Sequence, residues 1–234
     1  MFKAVTFDFW DTLFRIPQPE LLLERRIDRF QEALRREGHE RSREAIRAAF
    51  QSCWRRARYA QQVEGREITP RGHVHLIMER LGVVPTGFLF GRLYQAYTRV
   101  LLDMPPVFNA GASEVLEKLS RRYRLAVICN TGATPGLVLR KIMADNHIYA
   151  CFRTLVFSDE TAWAKPNPQI FLYTLSRLSV QPEKAVHIGD NSFTDVIGAK
   201  RVGMRAVWLS PEAEWTVPEC DGHIRHLTEL LEIL

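Results

Sequence analysis

Asp8, Lys165, Asp190 and Asp195 are far apart in a chain of 234 residues, yet their types make sense only together. Asp8 ends the run Lys-Ala-Val-Thr-Phe, Lys165 sits in Ala-Lys-Pro-Asn-Pro, and the other two lie in His-Ile-Gly-Asp-Asn-Ser-Phe-Thr-Asp. A carboxylate can act as a nucleophile, grouped carboxylates hold a hard cation, and an ammonium clamps an anion. The combination predicts chemistry on a negatively charged substrate.

The surrounding pattern predicts how such residues meet. Residues 3–9 read as a buried strand. From Glu20 to about Met104 apolar residues recur three and four apart, as in Leu21-Leu-Leu-Glu-Arg-Arg-Ile-Asp-Arg-Phe and Glu44-Ala-Ile-Arg-Ala-Ala-Phe, which is helical periodicity. After Pro106 helices and strands alternate. Helices are expected at about 111–121, 135–144, 167–178 and 193–202, and strands at 124–129, 154–158, 185–189 and 205–209. This order implies an α/β fold: a Rossmann-like, doubly wound parallel sheet formed by residues 1–15 and 106–234, with an α-helical insertion at 16–105. Such a sheet binds its ligand at the carboxyl ends of its strands. Asp8, Asn130, Lys165 and Asp190 all fall at or just after those ends.

Composition narrows the function classes. The chain is 46% hydrophobic with a net charge of +5, fits no fibrous or disordered class, and holds no run long and apolar enough to span a bilayer. A soluble, cytoplasmic protein without a signal peptide is expected. Residues 16–105 carry 16 Arg, no Lys and 11 Asp and Glu, so the whole charge excess lies in the helical insertion. Solvated helix faces with ion pairs along them are the simplest reading, and attraction of an anionic substrate is the alternative. No nucleic-acid-binding motif accompanies the charge. Cys53, Cys129, Cys151 and Cys220 lack metal-ligand spacing, which favours reduced thiols.

Phe-Asp-Phe-Trp-Asp-Thr-Leu at 7–13, Val-Ile-Cys-Asn-Thr-Gly at 127–132, Lys165-Pro-Asn-Pro and Gly189-Asp-Asn-Ser-Phe-Thr-Asp195 resemble, in order and spacing, the four motifs of the haloacid dehalogenase-like hydrolases. The resemblance implies that the helical insertion is a cap over the active site. It also assigns roles. Asp8 matches the nucleophile that forms a covalent aspartyl intermediate, and Lys165 the lysine that pairs with it. Asp8, Asp190 and Asp195, with the main-chain carbonyl of Trp10, match the ligands of a Mg2+ ion. Thr12 matches the threonine that orders the first loop. The position of the phosphate-binding Ser or Thr is Cys129 here, with Asn130 and Thr131 as substitute donors.

Trp10 departs from the pattern. Phosphatases of the family carry an aspartate there as general acid and base, a contribution on the order of 10²–10⁴ in rate. Asp11 takes the place usually held by glycine, and its side chain is expected to point elsewhere. The resemblance therefore supports a Mg2+-dependent phosphatase of a small phosphorylated metabolite first. A 2-haloacid dehalogenase, which also has an aromatic residue at the position of Trp10 but needs no metal, comes second, and a non-catalytic binding protein third. The partner implied is a small anionic molecule.

Overall fold

The computed structural model describes residues 1–213 and 217–234. Its strands are β1 (Ala4–Phe7), β2 (Phe14–Arg15), β3 (Val107–Phe108), β4 (Arg124–Cys129), β5 (Phe152–Phe157), β6 (Ala185–Gly189), β7 (Arg205–Leu209) and β8 (Gly222–Ile224). Six of them form one parallel sheet in the order β5-β4-β1-β6-β7-β8. β8 was not expected from sequence, because three residues give no readable periodicity.

Sheet burial on both faces explains the near-continuous apolar strands. Val5, Phe7, Leu125, Val127 and Cys129 pack into one core, while Ala4, Ala126 and Ile128 face the opposite one. The alternation follows from the two-residue period of a strand. It sends the Cys129 side chain into an apolar layer.

The helical insertion comprises α1 (Pro19–Arg35), α2 (Arg43–Gln62), α3 (Pro70–Arg80), α4 (Gly87–Thr98) and the short α5 (Val100–Asp103). α2 starts at Ser42, whose hydroxyl accepts from the Ala45 amide at 3.2 Å, and α3 starts at Thr69, which caps Gly72 in the same way. These helices bury their own core around Phe30, Phe50, Leu93 and Tyr97. The chain leaves the sheet through β2 and returns through β3, and the two pair antiparallel with Phe14 opposite Phe108. Seven of the insertion's sixteen arginines pair with acidic side chains among the described residues, as in Arg29–Asp103, Arg43–Glu24 and Arg92–Glu37. Among the described residues no helix is long and apolar enough to cross a membrane.

The remaining helices cover the sheet: α6 (Ala112–Ser120), α7 (Gly136–Asp145), α8 (Ser158–Thr161) and α9 (Pro168–Leu178). Asn167 caps α9 and Pro168 is its first residue, so Lys165 precedes a helix start. Where an ordinary helix was expected from residue 193, Ser192–Ile197 form a π-helical turn that passes into one short α-helical turn. Such turns recur at functional sites.

Candidate active site

Asp8 follows β1, Asn130 follows β4 and Asp190 follows β6, so three neighbouring strands deliver their first polar residue to one edge of the sheet. Lys165 arrives from the segment after α8. Its Nζ lies 2.6 Å from Asp8 Oδ1 and 2.6 Å from Asp195 Oδ1, with all three side chains almost wholly buried. The Lys165 main chain is held by Asn130, whose Oδ1 accepts from the Lys165 amide at 2.8 Å and whose Nδ2 donates to its carbonyl at 2.9 Å.

Asp195 is built deeply into the structure and is only 1% exposed. Asn191 is the cap of the π-helical turn, its Oδ1 accepting from Phe193 and Thr194. Asp195 Oδ1 accepts from Lys165 and from His187 Nε2 at 3.0 Å, and Oδ2 from the Asn191 amide at 3.1 Å. A Cβ on Gly189 would come within 2.3 Å of the Asp195 carboxyl carbon, so only glycine lets this carboxylate lie against the strand end.

Carboxyl oxygens of Asp8, Asp190 and Asp195 lie within 4.8 Å of one another. Three carboxylates thus face one ammonium, an excess of two negative charges when all are ionised. The titration behaviour follows. Burial raises Asp8, against the pull of Lys165, and burial together with Asp8 and Asp195 raises Asp190 further. Burial acts upward on Asp195 too, but Lys165 and the His187 N–H outweigh it and lower its pKa. Lys165 stays charged because Asp195 and Asp8 outweigh its own desolvation. The Asp190 carboxylate, by contrast, receives no hydrogen bond among the described residues. A hard divalent cation fits an all-oxygen donor set with this charge deficit.

The cluster opens into a cavity of about 350 Å³. Asp8, Trp10, Asp11, Asn130, Lys165 and Asp190 line its sheet side, and Trp54, Arg58, Gln61, Gln62 and His73 its helical side. The positions of Trp54, Arg58 and Gln61 at i, i+4 and i+7 form one face of α2. No motif in the sequence marks these residues, and helical spacing alone does not show what such a face meets.

The family model for haloacid dehalogenase-like hydrolases matches residues 2–203. This chain belongs to that family. A glyceraldehyde 3-phosphate phosphatase of Methanopyrus kandleri is 28% identical to this hydrolase over 253 residues, covering all of this chain and 97% of the relative. The crystal structure of a HAD phosphatase from Thermococcus onnurineus superposes with a TM-score of 0.67 at 27% identity, covering 99% of this chain and 97% of that one. A 2-haloacid dehalogenase from Pseudomonas syringae pv. Tomato DC3000 gives a TM-score of 0.74 at 22% identity, with 100% and 98% covered, a likeness of fold.

Several expected positions of this hydrolase differ in detail. Asp11 has a φ of 54°, in the left-handed region, and borders the same cavity as Asp8. Trp10 packs edge-on against Phe9, with ring centroids 4.8 Å apart, and borders the cavity. Cys129 is fully buried, and burial pushes its thiol far from ionisation, so its side chain does not reach the cavity. Thr131 is turned inward too, its amide donating to Ser158 Oγ at 2.9 Å and its hydroxyl 3.2 Å from the same oxygen. Thr12 lies buried behind the wall, its hydroxyl without a partner among the described residues.

His187 was missed altogether. It occupies an apolar strand, where an isolated histidine gives no signal of function. Its ring is fully buried between Thr6 and Asp195, with Nδ1 2.8 Å from Thr6 Oγ1. Because ionised Asp195 can only accept, Nε2 carries the proton and Nδ1 accepts from Thr6, which fixes the ring as a neutral strut beneath the acidic cluster.

Proposed function

We propose that this protein is a Mg2+-dependent phosphohydrolase that acts on a small phosphorylated metabolite, with residues 16–105 serving as the cap. The observation that carries this reading is the charge imbalance at Lys165: one ammonium serves three carboxylates at the base of an open cavity. A dehalogenase needs no such excess. A bound Mg2+, held by Asp8, Asp190 and the Trp10 carbonyl with Asp195 beside it, would neutralise charge on the phosphoryl oxygens.

Asp8 is the nucleophile. Its free oxygen attacks phosphorus, the bond from phosphorus to the ester oxygen breaks, and an aspartyl phosphate forms. Lys165 holds Asp8 in place and compensates the charge of two anions brought together. Water then attacks phosphorus, phosphate leaves, and Asp8 is regenerated as the carboxylate. Trp10 offers no proton to the departing oxygen. The chain therefore favours substrates whose leaving oxygen is already a stable anion or takes its proton from water. The similarity to a glyceraldehyde 3-phosphate phosphatase supports a short phosphate monoester as the substrate class.

Phosphate release from acetyl phosphate and p-nitrophenyl phosphate, with and without Mg2+, tests the reading. Wild-type protein is expected to release phosphate only with the metal, and Asp8→Asn not at all. Silence of the metal-loaded wild type on both compounds, or halide release from 2-chloropropionate that survives chelation, would overturn it.

A further inference from the structure

The three residues before Lys165 are paired with the helical insertion rather than with the sheet. Ala162, just past the end of α8, has a φ of 65°, a left-handed conformation that a residue with a Cβ does not favour. Its carbonyl accepts from the Glu67 amide at 2.9 Å, the Ala164 amide donates to the Gly65 carbonyl at 3.1 Å, and Arg66 and Trp163 form an antiparallel bridge between them. Asn167, two residues beyond the lysine, adds its Nδ2 to the same Gly65 carbonyl at 2.9 Å. The approach is close enough to require glycine: the φ of Gly65 is 63°, and a Cβ there would come within 3.0 Å of Asn167 Cβ.

One side chain seats this loop. Among residues 63–69 only Glu67 is buried, at 6% exposure. Its carboxyl group accepts from the Ser158 hydroxyl, which follows β5, and from Gln61 Nε2 on α2, at 3.2 and 2.9 Å to its two oxygens. Ser158 is itself fixed by the Thr131 amide, just after β4. No basic side chain pairs with Glu67 among the described residues, so it anchors the loop by hydrogen bonds and not by charge.

We propose that Glu67 is a positioning residue for Lys165: its buried carboxyl group seats residues 65–67, these pair with residues 162–164, and the pairing sets where the ammonium meets Asp8 and Asp195. Glu67 does not line the cavity, so it acts through the lysine. An ammonium held 2.6 Å from two carboxylates tolerates little displacement. A shift of about 1 Å in a group that takes part in the chemistry costs on the order of a hundredfold in rate. The turnover test of this inference rests on the phosphatase reading, whereas its exchange test does not.

Three variants separate the steps. Glu67→Ala removes the anchor, Glu67→Gln keeps its shape and hydrogen bonds, and Gly65→Ala disturbs the pairing without touching the buried carboxyl group. Hydrogen exchange of the Ala164 and Lys165 amides, followed by NMR in the full chain, reads the pairing directly. Exchange at both is expected to quicken about tenfold or more in Glu67→Ala and Gly65→Ala and to stay near the wild-type rate in Glu67→Gln, with the amides of β1 unchanged. With acetyl phosphate and Mg2+, kcat is expected to fall on the order of tenfold or more in the same two variants, with KM little changed, and to be largely restored in Glu67→Gln. Unchanged exchange at Lys165, or quickening by the same factor in β1, overturns the proposal whatever the activity. So does an unchanged kcat in a variant whose pairing has opened. Should Glu67→Ala not fold, Gly65→Ala decides by the same two measurements. A wild type that releases no phosphate but shows the expected exchange pattern would sustain the positioning role and sink the phosphatase reading.

Discussion

Ser158, at the start of α8, donates its hydroxyl proton to the carboxyl group of Glu67, which reaches it from the loop between α2 and α3. Ser158 in turn holds Thr131 at the end of β4, and Glu67 holds Gln61. The same loop is stitched down beside Lys165: the Gly65 carbonyl accepts from Ala164 at 3.1 Å and from Asn167 Nδ2 at 2.9 Å, and the Glu67 amide donates to Ala162 at 2.9 Å. One buried carboxyl group thus links the helical insertion to the second motif, and the main chain beside it links the insertion to the third.

That link titrates. Burial raises Glu67 from 4.5 to about 7, against the hydrogen bonds from Ser158 and Gln61, with Asp159 adding to the rise. The folded protein keeps this proton where the unfolded chain has lost it. The stabilisation is fully present below the unfolded value of 4.5 and is lost as pH rises through about 7. His73, lowered from 6.5 to about 4, works the other way: its contribution is present above 6.5 and is lost as pH falls through 4. Denaturant unfolding between about pH 6.5 and pH 8 therefore isolates Glu67 of the two, and Glu67→Gln is expected to remove a decline of under about 1 kcal/mol, the last part of that loss. An unchanged slope in the variant would show that Glu67 is not its source.

Asp190→Asn removes the carboxylate of the acidic cluster that has no hydrogen-bond donor among the described residues. Because it sits against two like charges, the metal-free variant is expected to be at least as stable as the wild type. The gain on adding Mg2+ should vanish, whereas the wild type gains about 2.7 kcal/mol when the metal is at a hundred times its Kd. Thermal unfolding with and without Mg2+ measures both. Retention of the full Mg2+ response in Asp190→Asn would place the metal elsewhere.

Trp10→Asp restores a titrating group at the cavity wall. Turnover of alkyl phosphates, which need a proton on the leaving oxygen, is expected to rise by on the order of tenfold or more, up to the 10²–10⁴ range of a placed general acid. p-Nitrophenyl phosphate, with its stable leaving anion, should gain far less. The lost contact with Phe9 costs stability, roughly 2 kcal/mol for a half-buried aromatic. Equal gains on both esters would mean that the aspartate acts otherwise than by protonating the leaving group.

The sequence by itself determined the architecture and the acidic cluster. Asp8, Lys165 and Asp190 were legible because each stands at a strand end or before a helix start, and those boundaries are written in local patterns of hydrophobicity, Asn167 and Pro168 among them. Side-chain direction was not. Cys129 turned out to be core because strand alternation pointed it into an apolar layer, and Asp11 borders the cavity from a left-handed backbone position. Only the tertiary structure decided which distant groups meet: His187 beneath Asp195, Glu67 against Ser158, and Trp54, Tyr97 and His73 in one hydrogen-bonded line. These contacts join residues from separate elements, and their strength comes from burial away from competing water, a condition that no local stretch of sequence records.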